Sequence, residues 1–185
     1  MRRVIWLGTI MLAFASLASA QIPTGGNIFV GYSFENTSSA AVSFSRPNLQ
    51  GWEASLEGKI FPFVGIVADF SGHYGNETFT VLSPEGPIAL TNSVHEDEVF
   101  FGPRVSVRIG KFTPFGEGMV GLAHINGGLG QGTSETAFAS AVGGGLDYKI
   151  VRPLALRVEA DYIRTSFFST NQNNLRLSTG VVFRF

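Results

Sequence analysis

The chain contains no cysteine, which excludes disulfides, thiol nucleophiles and thiolate metal centres. Charge is scarce: Asp, Glu, Lys and Arg make up 15% of its 185 residues, against about 25% in ordinary soluble proteins. Lysine, the usual residue of a soluble surface, is confined to Lys59, Lys111 and Lys149. A net charge of −1 leaves no basic footprint for nucleic acid. Histidine occurs at His73, His95 and His124 only, without the spacing of a metal motif. Beyond residue 20 no apolar run approaches the about 20 residues of a membrane helix. If such a chain crosses a membrane, it does so as a closed barrel, the other way to satisfy every backbone group in lipid.

What the chain does have is period-2 alternation. Eight segments put apolar residues on one face and polar or small ones on the other: Asn27–Glu35, Gly51–Ile60, Phe63–Tyr74, Glu98–Ile109, Phe112–Ile125, Ala137–Tyr148, Leu154–Thr165 and Leu175–Phe185. The sharpest sets Leu154, Leu156, Val158 and Tyr162 against Arg157, Glu159 and Asp161. Each is close to the 9–11 residues a tilted membrane strand needs. Tight turns are predicted at Phe61-Pro62, Gly110-Lys111 and Lys149–Pro153. Long polar loops are predicted at Asn36–Gln50, Gly75–Asp97, Asn126–Thr136 and Ser166–Asn174. Short turns on one rim and long loops on the other suit an outer-membrane barrel, and an even strand number puts both termini on the short-turn, periplasmic side. The expected fold is all-β, an eight-stranded antiparallel up-and-down transmembrane β-barrel.

The two ends carry address-like patterns. Arg2 and Arg3 precede an apolar run, Val4–Leu17, and the small-x-small triplet Ala18-Ser19-Ala20. Residues 1–20 read as a secretory signal peptide and 21–185 as a single outer-membrane barrel domain. The last strand alternates Ser178, Gly180 and Arg184 with Val181, Phe183 and a terminal Phe185. This pattern resembles the C-terminal signal read by the barrel-assembly machinery, with Ser178, Gly180, Phe183 and Phe185 as its elements.

Three further observations favour a lipid-facing apolar side over a soluble, lipocalin-like barrel. The lysines sit at or beside the short turns. The polar face is rich in small residues (Gly31, Gly65, Gly102, Gly121, Ala139, Gly143, Gly180), as a narrow interior demands. Aromatics gather in two bands: Phe34, Trp52, Phe70, Tyr74, Phe138 and Tyr162 towards the loop rim, Phe61, Phe63, Tyr148, Phe183 and Phe185 towards the turn rim.

Taken whole, residues 21–185 resemble the OmpA-like outer-membrane β-barrel domain in a compact, barrel-only form. The stretches that carry the likeness are Gly51-Trp52-Glu53-Ala54-Ser55, Val67-Ala68-Asp69-Phe70-Ser71-Gly72, Gly143–Tyr162 and the terminal Ser178–Phe185. The resemblance implies an outer-membrane location in a Gram-negative-type cell, with outer-membrane lipid, lipopolysaccharide and the barrel-assembly machinery as partners. No peptidoglycan-binding domain follows the last strand in this sequence, so a cell-wall tether is unsupported. The likeness does not fix an activity, because such barrels host unrelated functions.

Charges of both signs fall on the predicted interior face. The candidate network comprises Glu53, Glu57, Asp69, Glu159 and Asp161 with Arg104, Arg108, Arg157, Arg176 and Arg184. Glu98, Glu117, Asp147 and Lys59 share that face. In so narrow a lumen these charges are expected to pair and plug it; the alternative is a narrow solute channel. Catalysis has weak support. The nearest imitation of a lipid-modifying site, His124 with Ser140, lacks an acid, so no enzymatic activity, cofactor or metal is expected. Glu96-Asp97-Glu98 reads as a solvated loop edge, with a calcium-type cation as the alternative. The expected role is structural or in surface contact through the long loops.

Overall fold

The computed structural model describes residues 25–37, 48–83, 86–126, 134–167 and 170–185. The proposed signal peptide lies outside these residues. Eight strands run in chain order: β1 (Gly26–Thr37), β2 (Asn48–Lys59), β3 (Val64–Ser83), β4 (Gly86–Ser106), β5 (Phe112–Asn126), β6 (Ser134–Lys149), β7 (Leu154–Phe167) and β8 (Thr170–Arg184). Each pairs antiparallel with its sequence neighbours, and β8 returns to β1 to close the barrel. Closure leaves no sheet edge around the wall. The backbone of Phe185 completes the seam, exchanging hydrogen bonds of 3.0 and 3.1 Å with Gly26.

Alternation decides which face is which. Val30, Leu56, Val99, Phe101, Val120, Leu122, Val142, Val158 and Val181 are exposed on the outside. On the inside, Arg104, Arg157 and Arg176 are buried at 0 or 1% exposure. That is the inverse of a soluble protein, where large apolar side chains go in and arginines stay out. The predicted aromatic bands lie on the outer wall: Trp52, Phe70, Tyr74, Phe138 and Tyr162 on one side, Phe61, Phe63, Tyr148, Phe183 and Phe185 on the other, all exposed; Phe34 is half-buried.

The short turns fall on one rim. Between β4 and β5, Gly110 adopts φ +62°, and Ile109 and Phe112 exchange hydrogen bonds of 2.8 and 3.0 Å around it. Glycine takes that left-handed conformation without a Cβ penalty, as a two-residue hairpin requires. β4 ends at Ser106, three residues before the predicted Ile109. The next rung would need an N–H from Pro114: Val107 donates to the Pro114 carbonyl at 3.1 Å, but proline returns nothing.

The largest departure from expectation is the segment predicted as a polar loop, Gly75–Asp97. There β3 and β4 keep pairing without interruption from Val64↔Val105 to Ser83↔Gly86. Their other neighbours stop early: β2 pairs with β3 as far as Gln50↔Tyr74, and β5 with β4 as far as His95↔Asn126. Residues beyond Tyr74 on β3 therefore form a two-stranded ribbon with β4, reaching about 30 Å past the barrel wall at about 3.3 Å per residue.

Candidate functional site: the charged lumen

The lumen side chains come from alternate positions of all eight strands, so the strand period itself brings together residues far apart in sequence. Arg176 on β8 occupies the centre. Its guanidinium takes Asp161 through Nε and Nη2 (3.2 and 2.8 Å), and reaches Asp69 (2.9 Å) and the Ser71 hydroxyl (3.1 Å) through Nη1. Glu53 and Glu98 follow at 3.5 and 3.7 Å. The planar fork explains why arginine rather than lysine stands here, since one cation must serve several carboxylates in fixed directions.

A second layer lies towards the short-turn rim. Arg104 donates from Nε to Glu117 (2.7 Å) and approaches Glu159 (3.4 Å) and Glu57 (3.6 Å). Arg157 grips Asp147 with Nε and Nη2 (2.7 and 3.1 Å) and reaches Glu159 at 3.5 Å. Arg184 joins Asp147 at 3.0 Å, Lys59 pairs with Glu57, and Asn27 donates to Glu57 at 2.7 Å. Arg104 and Arg157 sit over the Phe115 ring at 4.4 and 4.5 Å, and Arg157 lies 5.1 Å from Phe29. Those contacts add cation–π attraction.

Nine of the ten residues proposed for the network thus meet in two connected groups. Arg108 does not join them. It lies beyond the end of β4, is exposed, and lines the open mouth of the lumen instead. That mouth is a cavity of about 380 Å³ bounded inward by Arg104, Arg157 and Asp147. Arg157 takes Asp147 as its main partner, while Arg176 takes both Asp161 and Asp69.

Sequence reasoning missed the lumen aromatics Phe29, Phe100 and Phe115, although each has the parity of the polar face. Glu98 lies on the interior face expected of it, whereas Glu96 departs from the solvated loop edge expected there. Glu96 and Glu98 point inward, 2 and 1% exposed, while Asp97 points outward and bonds His95 at 2.9 Å. His124 bonds Thr136 at 2.7 Å. Ser140 lies four residues further along β6, opposite Val120, about 13 Å away at the usual strand rise, so this Ser and His do not form a dyad.

Of the terminal pattern, Ser178 faces the lumen, where its hydroxyl bonds Glu53, and Gly180 leaves room for the Phe29 ring. Phe183 and Phe185 stand on the outer wall, 46 and 59% exposed.

No family model matches the chain, and no curated protein does. Solved structures do. Neisserial surface protein A (NspA) superposes with a TM-score of 0.68 at 13% identity, covering 86% of this chain and 97% of that one. Ail, the attachment invasion locus protein of Yersinia pestis, gives 0.53 at 16% identity over 89% and 100% of the two chains. The N-terminal β-barrel domain of Pseudomonas aeruginosa OprF gives 0.52 at 14% identity over 86% and 99%. Strand number, closure and wall polarity agree with these likenesses: the chain has the fold of the small eight-stranded outer-membrane barrels.

Proposed function

We propose that the protein is an integral outer-membrane barrel whose lumen is closed by its charge network and whose role is structural or in contact at the cell surface. The supporting observation is the filling of the barrel cross-section by Arg104, Arg157 and Arg176. All three are fully buried and tied to carboxylates on other strands. An ion pathway needs a hydrated column, and here the mouth cavity ends against the guanidinium groups of Arg104 and Arg157. The β3–β4 ribbon supports the surface-contact part of the reading, because it extends well past the wall and, among the described residues, pairs only with itself. NspA is named a surface protein and Ail an attachment protein; both names suit a rigid barrel displaying connections, though the fold alone assigns no activity.

The test is single-channel recording on protein refolded into a planar bilayer. Near-zero conductance across physiological voltages is expected. Steady, ion-selective currents in the unmodified protein would replace this reading with a narrow channel.

A further inference from the structure

Around Arg176, and from it towards the long connections, the lumen is strongly acidic. Glu35, Glu53, Asp69, Glu96, Glu98 and Asp161 are all buried there, and Arg176 is the buried cation that faces them. Asp69 and Asp161 are well served by it, whereas Glu98 lies 3.7 Å from it at the limit of an ion pair. His73, fully buried on β3, stands among these acids, with Glu96 as its register partner on β4. One ligand atom from each of Glu35, His73 and Glu98 lies within 4.8 Å of the others.

A chain of hydroxyls connects the imidazole to Glu53. His73 Nε2 is 2.9 Å from Ser33 Oγ, Ser33 Oγ is 3.0 Å from Ser178 Oγ, and Ser178 Oγ meets the Glu53 carboxylate. With Glu53 ionised, its carboxylate only accepts, so the single Ser178 proton goes to Glu53 and the Ser33 proton goes to Ser178. Ser33 Oγ must then accept from Nε2–H. The remaining imidazole nitrogen, Nδ1, carries a lone pair and faces Glu35 Oε2 at 3.2 Å. Two lone pairs do not hold one another at that distance without something positive between them. Neither His73 Nδ1, Glu98 Oε1 nor Glu96 Oε1 has a hydrogen-bond partner among the described residues, and all three are fully buried. One proton relieves one such pair; a divalent cation relieves three together.

We propose that Glu35, His73 Nδ1 and Glu98 form a binding site for a divalent transition metal, with Glu96 as flanking charge and the Ser33 hydroxyl orienting the imidazole. One imidazole with two carboxylates suits a borderline-soft ion such as Zn²⁺ better than Ca²⁺ or Mg²⁺, which take oxygen ligands. The hydrogen bond from the second imidazole nitrogen is the usual companion of a ligating histidine. Leu49, register partner of Glu35, and Val94, two residues from Glu96, are buried on the long-connection side, so exchange with bulk solvent requires local opening. The site stands apart from the question of conductance, because its residues lie beyond Arg176 from the open mouth.

The experiment is refolding in detergent with ZnCl₂, dialysis against buffer, and elemental analysis of retained metal, with absorption-edge spectroscopy on the unmodified protein. One Zn²⁺ per chain is expected, coordinated by a single imidazole and oxygen donors, and undiminished by a large excess of Ca²⁺. His73→Asn and Glu98→Gln should each weaken retention by at least about tenfold, and Ser33→Ala by about tenfold. His95→Asn, which removes the imidazole beside Asp97 on the outer face, should have no effect. No retained Zn²⁺, a coordination shell without one imidazole, displacement by Ca²⁺, or equal retention in His73→Asn would each overturn the proposal. The spectroscopic arm needs no variant, so a variant that fails to fold does not shield it.

Discussion

Replacing Arg176 with methionine keeps most of the side-chain volume and removes the charge. In the native barrel this guanidinium donates twice to Asp161 and once each to Asp69 and Ser71, with Glu53 and Glu98 close by. Its loss leaves at least Asp69 and Asp161 buried without a cation. Breaking a buried pair by deleting one partner costs about 3–5 kcal/mol, because the survivor keeps its desolvation penalty. The expected fall in stability is therefore about 3–5 kcal/mol, two to four decades in the folding constant. Urea unfolding in phospholipid vesicles, followed by Trp52 fluorescence, measures it. A second variant, Arg176→Met with Asp161→Asn, removes one stranded charge and should recover part of the loss. A loss below about 1 kcal/mol in the single variant, in the range of an exposed ion pair, would refute the claim that this network is dry and structural.

Three other outcomes follow from the same geometry. Val158→Arg puts a cation on the outer wall near the middle of β7 and should destabilise the lipid-embedded barrel by about 2–4 kcal/mol; Leu156→Arg, nearer the turn rim, should cost less, and a reversed order in vesicle unfolding would contradict the assigned depth. Replacing residues 77–92 with a two-residue Asn-Gly turn should leave the barrel's unfolding midpoint unchanged, because among the described residues they pair only with one another; a large shift would show that the ribbon braces the wall. Phe185→Ala should reduce outer-membrane yield in cells while refolding in vitro proceeds normally, if the terminal aromatic acts as an assembly signal; equal yields in the membrane fraction would remove that role.

Fold and wall polarity were readable because a narrow barrel imposes a period of two on every strand, and a one-residue error would invert a whole face. Leu154–Thr165 alone displays both faces. The ribbon was not readable: Gly75, Asn76 and Pro84 signal loop, yet a hairpin that pairs with itself needs no burial pattern to persist. The same segment hid Glu96, whose inward parity shows only once Gly75–Asp97 is known to be strand. Arg108 has lumen parity but follows the point where Pro114 interrupts the ladder, so parity misplaces it. Partner choice was the least legible. Arg176 and Asp69 are 107 positions apart, and which inward layers meet depends on the stagger of closure, a property of the whole barrel rather than of any segment.

The central claim is that the apolar wall faces lipid and the charged residues face inward. Trp52, 44% exposed on the outer wall, is the reporter, being the one tryptophan of residues 21–185. In that portion of the chain, refolded into vesicles, bromine-labelled acyl chains should quench its fluorescence strongly and aqueous iodide weakly. Efficient iodide quenching with no effect of brominated lipid would contradict the account and turn the barrel inside out.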